Sequence, residues 1–197
     1  MVLELDSTSE KIVSATFKLL QKDGSEKATT KKIAAEAGVN EVTIFRKFEN
    51  KKNLIEITKQ YYLQVLINTL EEIFVFDEGQ TIEEYLKISF YGILNLSDED
   101  FSILKVAMEE VRGVSEKKNL ISEVTDVILN KLEDFFKFQI DKGTVREDIN
   151  PKSLAIMCFS VLFQSVILWK IYDKDLGFET IPYADDIMNI LFEGINP

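Results

Sequence analysis

Chemistry needs particular side chains within reach of one another, and this 197-residue chain is poor in them. It has no histidine, which removes the commonest general base, the usual zinc ligand and every Ser–His or Cys–His nucleophilic pair. A single cysteine, Cys158, excludes an internal disulfide and a CxxC metal site. Glu109 and Glu110 are adjacent carboxylates, but neighbours on a helix point to different faces, so they make no acid–base pair. The expectation is a protein that is not an enzyme and uses no metal and no cofactor. What remains is a set suited to holding and reading an anionic polymer: Thr29 and Thr30, then Asn40, Glu41, Val42 and Thr43, in a stretch rich in basic side chains. Hydroxyls and free backbone N–H groups at a helix start bind phosphate. Glutamate accepts from a cytosine amino group, and valine meets a thymine methyl.

These residues need elements to position them. Three prolines and eight glycines leave long stretches in which apolar residues recur every three or four positions, and an all-α fold of about nine helices follows. The first helix is expected from Ser9 to Asp23, with Ile12, Ala15, Thr16, Leu19 and Leu20 on one face and Gly24 as its stop. Thr29 caps a short second helix that ends at Gly38, and Asn40 caps a third, Glu41 to Phe48, whose buried side is Ile44 and Phe48. A long helix runs from Lys51 to about Phe74 with Leu54, Ile57, Tyr61, Val65 and Leu66 inward. Helices follow at Thr81 to Asn95, Asp98 to Arg112 and Glu116 to Lys142. Asn150-Pro151 starts an apolar helix to about Tyr172, and after a Gly177 to Pro182 loop a last helix carries Tyr183, Ile187, Met188, Leu191 and Ile195.

Charge divides the chain in two. Its net charge of −11 argues against coating nucleic acid by bulk attraction, yet residues 1–60 carry +2, and Lys27 to Lys52 hold seven basic side chains against three acidic. Residues 61–197 carry −13. No run reaches the roughly 18 apolar residues of a membrane span, and Met1 to Glu10 is acidic, without the basic-then-apolar order of a signal peptide. A cytoplasmic protein with no membrane partner is expected.

The stretch from Thr29 to Phe48, TTKKIAAEAGVNEVTIFRKF, reads as a helix-turn-helix. Ala34 and Ala37 let two helices approach, Gly38 permits a left-handed turn, Val39 fills the corner and Asn40 caps the second helix. Residues 12–54 resemble, without a gap, the N-terminal domain of the TetR family of transcriptional regulators. That resemblance covers about the first quarter of the chain; the remaining helices agree with the family's ligand-binding and dimerising domain in number and order. It implies a homodimer that binds a palindromic operator in double-stranded DNA and is released by a small-molecule effector. Residues 1–52 would be the reader, and 53–197 the ligand-binding and dimerisation domain.

Within this family pattern Lys31 resembles a position that reaches a base or phosphate, and Lys51 the anchor on a flanking phosphate. Phe45 replaces the usual tyrosine, so its hydroxyl contact is lost or replaced by packing on sugar atoms. Lys47 stands where relatives often have histidine, and Val42 where many have glycine. Arg46 and Lys47 are expected to clamp the backbone; Glu41, Val42 and Thr43 are the candidates for base readout. Phe90, Leu94, Met108, Met157 and Phe163 are expected to line a pocket for an apolar or cationic effector. The apolar Pro151 helix and the final helix resemble the family's dimer interface, through Leu162, Val166, Trp169, Met188, Leu191 and Phe192. A repressor is the expected function; the alternative is a nucleoid-associated or cell-division DNA-binding protein on the same fold.

Overall fold

The computed structural model describes residues 4–109, 120–172 and 180–193. Among them the elements are α1 (Ser7–Lys27), α2 (Thr30–Ala37), α3 (Glu41–Phe48), α4 (Lys51–Ile73), α5 (Ile82–Leu94), α6 (Asp98–Glu109), α7 (Leu120–Asp141), α8 (Pro151–Val166), a π-helical segment (Ile167–Ile171) and α9 (Thr180–Glu193). No strand occurs among the described residues. The chain divides into two compact units, Met1–Ile67 with Ser102–Ile121 and Asn68–Phe101 with Ser122–Pro197.

In the first unit each of α1, α2 and α3 starts on a side chain that takes an orphan backbone N–H. Asp6 accepts from Ser9 N–H at 2.8 Å, Thr29 from Lys32 N–H at 3.3 Å, and Asn40 from Val42 N–H at 2.9 Å. Gly38 closes α2 at φ 65°, ψ 35°, and Val39 N–H returns to the Ala34 carbonyl at 3.0 Å. Between α3 and α4, Glu49 adopts φ 65°, ψ −51° in a γ-turn, with Asn50 N–H donating to the Phe48 carbonyl at 2.7 Å. The core gathers Ile12, Ile33, Ile44 and Leu54, one from each of α1 to α4 and each 0% exposed, with Phe48 beside them.

The second unit is built on an aromatic cluster. Tyr85 stacks on Phe135 with centroids 3.8 Å apart, and Phe76 meets both edge-on. Burial pushes the Tyr85 phenol pKa up, and its hydroxyl donates to the Phe74 carbonyl at 3.2 Å. A capping box of Thr81 and Glu84 starts α5. Gly92 lies so close to Ile73 that a Cβ there would sit 2.8 Å from Ile73 Cγ2. The buried amide of Gln139 is satisfied at both ends, by the Gln80 carbonyl and the Thr144 hydroxyl. Asn150 caps α8, accepting from Ser153 N–H at 3.0 Å, with Pro151 in the first turn.

Several boundaries differ from expectation. α1 begins at Ser7 because Asp6 is its cap; its backbone breaks at Gly24 (φ 73°, ψ 171°), and one further turn follows. In α4, Val65 is exposed rather than inward, and Thr58, which was not expected among the inward residues, is buried with its hydroxyl satisfied by the Leu54 carbonyl at 2.8 Å. The Pro151 helix widens into π geometry at its end, closed by Tyr172 N–H to Ile167 carbonyl at 2.9 Å. α9 begins at Thr180, so Pro182 falls in its first turn, where a missing N–H costs no helical bond. The expected end of α6 at Arg112, the start of α7 at Glu116 and the Gly177 end of the last loop lie outside the described residues. Pro151–Lys170 is long and apolar enough to cross a membrane by length and composition, contrary to the expectation of no such run, because its three serines and Gln164 interrupt the apolar residues yet leave the mean hydropathy at 1.7.

A Cβ at Gly38 would meet nothing within 4 Å, so alanine there is opposed by the left-handed backbone alone. Gly38→Ala is expected to lower stability by about 1–2 kcal/mol, and Gly38→Asn by less. Urea unfolding with an unchanged m-value checks both.

Candidate nucleic-acid interface and apolar cavity

α3 turns Ile44 and Phe48 into the core, and its other side faces solvent. There Val42 is 70% exposed and Phe45 46%, three residues apart on one face, with Arg46 beside them and Thr43 half-buried. Apolar side chains this exposed do nothing for the core; they offer thymine methyls and sugar atoms a surface to meet.

The polar candidates are more interconnected than their spacing suggests. Thr29 spends its hydroxyl as the α2 cap. The Thr30 hydroxyl donates to the Glu41 carboxylate at 2.5 Å, tying the start of α2 to the start of α3. Glu41 can therefore accept from a base only by sharing or releasing that hydroxyl. Lys31 is exposed at the start of α2. Lys47 pairs with Asp6 at 2.6 Å and is only 19% exposed along its side chain, so the cap of α1 also holds the last turn of α3. This hydrogen bond and that from Ser9 hold the Asp6 carboxyl well below the usual carboxylate range. The Lys51 ammonium donates to the Glu26 carbonyl at 3.3 Å. In the first turn of α4, Asn50 accepts Asn53 N–H at 2.9 Å, with Lys51 and Lys52 standing ahead of it at a helix end that favours anions.

In the second unit a cavity of about 160 Å³ opens between α5 (Leu86, Ser89, Phe90), α8 (Met157, Cys158, Val161, Leu162) and α9 (Ile187, Met188, Ile190, Leu191), with Phe74 and Leu132. No lining residue is charged. Burial pushes the Cys158 thiol up to about 12, so it stays protonated at neutral pH and acts as a small apolar wall. Phe90 and Met157 line this cavity; Leu94 is buried in the core, Phe163 stacks on Phe159 at 5.3 Å, and the Met108 side chain lies outside the described residues. Three residues expected at a dimer interface, Leu162, Met188 and Leu191, line the cavity too. Val166 is buried, Trp169 partly buried, and Phe192 46% exposed. Ile156 and Met157 on α8 and Ile190 on α9 are also exposed. Ser89 was not among the expected liners, because a serine inside a helical pattern carries no signal for a cavity.

Residues 12–57 match the family model described as bacterial regulatory proteins, tetR family. The chain is 29% identical over 156 residues to the uncharacterized HTH-type transcriptional regulator YvkB of Bacillus subtilis (strain 168), covering 79% of each chain. It is 25% identical over 187 residues to the fatty acid metabolism regulator protein of the same organism, covering 94% of each. Its fold is similar, with a TM-score of 0.67 and 22% identity over 95% of this chain and 99% of the other, to the Bacillus subtilis transcriptional regulator FadR solved in complex with stearoyl-CoA.

Asp6→Asn keeps a good cap, since asparagine serves as well as aspartate there, but removes the charge that holds Lys47. The variant is expected to fold normally and to bind DNA more tightly on every sequence, with the slope of log affinity against log salt steeper by about one. Salt titration of binding to two unrelated duplexes measures this; an unchanged slope would mean that Lys47 does not reach a phosphate.

Proposed function

We propose that this chain is a DNA-binding transcriptional regulator of the TetR family, a repressor and not an enzyme, a reading supported by the match of residues 12–57 to that family's model and by the likeness to the two Bacillus subtilis regulators. It acts as a homodimer on a palindromic operator in the cytoplasm and is released by a small apolar molecule. The observation that carries this reading is the outward face of α3, where Val42, Phe45 and Arg46 stand exposed behind a corner made by Gly38 and capped by Asn40. Residues 1–52 read the operator. Glu41, Val42 and Thr43 meet base edges, while Thr29, Thr30, Lys31, Phe45, Arg46, Lys47 and Lys51 grip the backbone.

Residues 53–197 bind effector and partner. The exposed apolar side chains of α8 and α9, Ile156, Met157, Ile190 and Phe192, favour burial against a second copy. The uncharged cavity favours an apolar effector over a cationic one, which would find no carboxylate there. The fatty acid metabolism regulator among its relatives supports an effector drawn from fatty acid metabolism. A dimer of this kind must hold two recognition helices about 34–36 Å apart to enter successive major grooves. An effector that binds better to a wider spacing removes the dimer from DNA by its differential affinity. α4, continuous from Lys51 to Ile73, is the lever through which each subunit responds.

Footprinting on the DNA beside its own coding region is the direct test, with a salt-sensitive, sequence-selective site expected. Thr43→Ala should cost about 1–3 kcal/mol at one base position, and Lys51→Ala should weaken all sequences alike and reduce the salt slope by about one. If both variants bind operator normally, the DNA face lies elsewhere. Binding at scattered genomic sites, with no change of expression on deletion, would favour a nucleoid-associated or cell-division role.

A further inference from the structure

The cavity of the second unit is walled by apolar side chains and contains one group that has nothing to bond. Ser89 of α5 lines it, is 2% exposed, and its hydroxyl makes no hydrogen bond. Four other helical hydroxyls behave differently. Those of Thr16, Thr58, Ser160 and Ser165 each donate to the carbonyl four residues earlier, at 2.7–2.8 Å. Ser89 lies beside the Tyr85 phenol and opposes the pKa rise that burial gives it, but the phenol donates to the Phe74 carbonyl, and the Ser89 hydroxyl completes no hydrogen bond with it. A buried hydroxyl without a partner forfeits its hydration for nothing in return.

The size and chemistry of the cavity limit what could satisfy it. At about 160 Å³ it is close to the roughly 150 Å³ apolar cavity that takes up benzene. A charged ligand group would be desolvated there against hydrocarbon. An uncharged oxygen placed beside Ser89 would gain a hydrogen bond with no water competing for it, and would exchange an unpaired protein hydroxyl for a paired one.

We propose that Ser89 is the polar reader of this cavity. The ligand portion that enters is a small, uncharged, mainly apolar group, a ring or the end of a chain, carrying one hydroxyl or carbonyl oxygen that pairs with Ser89 Oγ. The proposal rests on reading the cavity as the effector site, and it adds a discrimination that hydrophobicity alone does not supply. A hydrocarbon and its oxygenated isostere differ in affinity because one leaves Ser89 unpaired and the other does not.

Calorimetric titration of the full chain with phenol and with toluene, which differ by a hydroxyl for a methyl, tests it. Both probes are expected to bind the wild type. Ser89→Ala should weaken phenol by about five- to tenfold and leave toluene unchanged or tighter. The unliganded variant should melt no lower than wild type, because it loses only an unsatisfied group, which keeps the comparison on folded protein. Equal effects on both probes, or no effect on phenol, would show that the cavity binds ligands without Ser89 reading them. Failure of both probes to bind the wild type would remove the effector-site reading, and this proposal with it.

Discussion

An eight-residue helix does not persist alone in water, so what α3 presents depends on how its back is held. Ile44 and Phe48 do this by packing with Ile12, Ile33 and Leu54, and the surrounding joints serve that contact. The Gly38 turn lets α3 follow α2 after three residues, the Glu49 γ-turn lets α4 follow α3 after two, and Asn40 and Asn50 take the N–H groups those abrupt starts leave open. Two side-chain links then fix the ends of α3, Thr30 to Glu41 at its start and Lys47 to Asp6 in its last turn. The exposed face gains its rigidity from the buried one.

Much of this frame was legible because it is local. Caps at Thr29, Asn40 and Asn150, the turn at Gly38 and the three- to four-residue apolar spacing are short-range patterns with fixed physical causes. The Asp6–Lys47 pair spans 41 residues and Thr30–Glu41 spans 11, and no periodicity links either pair. The apolar spacing placed Val65 inward, where it is exposed, and passed over Thr58, which is buried. A threonine reads as polar until its hydroxyl is returned to the carbonyl one turn back, after which it buries like a valine. The start of α9 was hidden by Pro182, which ends a helix in its middle but sits without cost in a first turn.

α8 shows why an apolar helix is hard to assign from its sequence. Its residues serve three surroundings: Ala155 and Val166 are buried, Cys158 and Val161 line the cavity, and Ile156 is exposed. Hydropathy cannot separate these uses, since each asks for the same kind of side chain. Met157 belongs to two at once, lining the cavity while remaining 44% exposed. Occupancy of the cavity and burial of the outer face are therefore linked through single side chains.

The exposed pair on α3 has a colloidal consequence. Val42 and Phe45 stand in water on every copy of the chain, an invitation to self-association as concentration rises. A net charge of −11 opposes it, because copies repel one another before short-range apolar contact can form. That repulsion is screened by salt. The excess of acid over base thus acts as a solubility device, keeping copies that carry an adhesive α3 face dispersed.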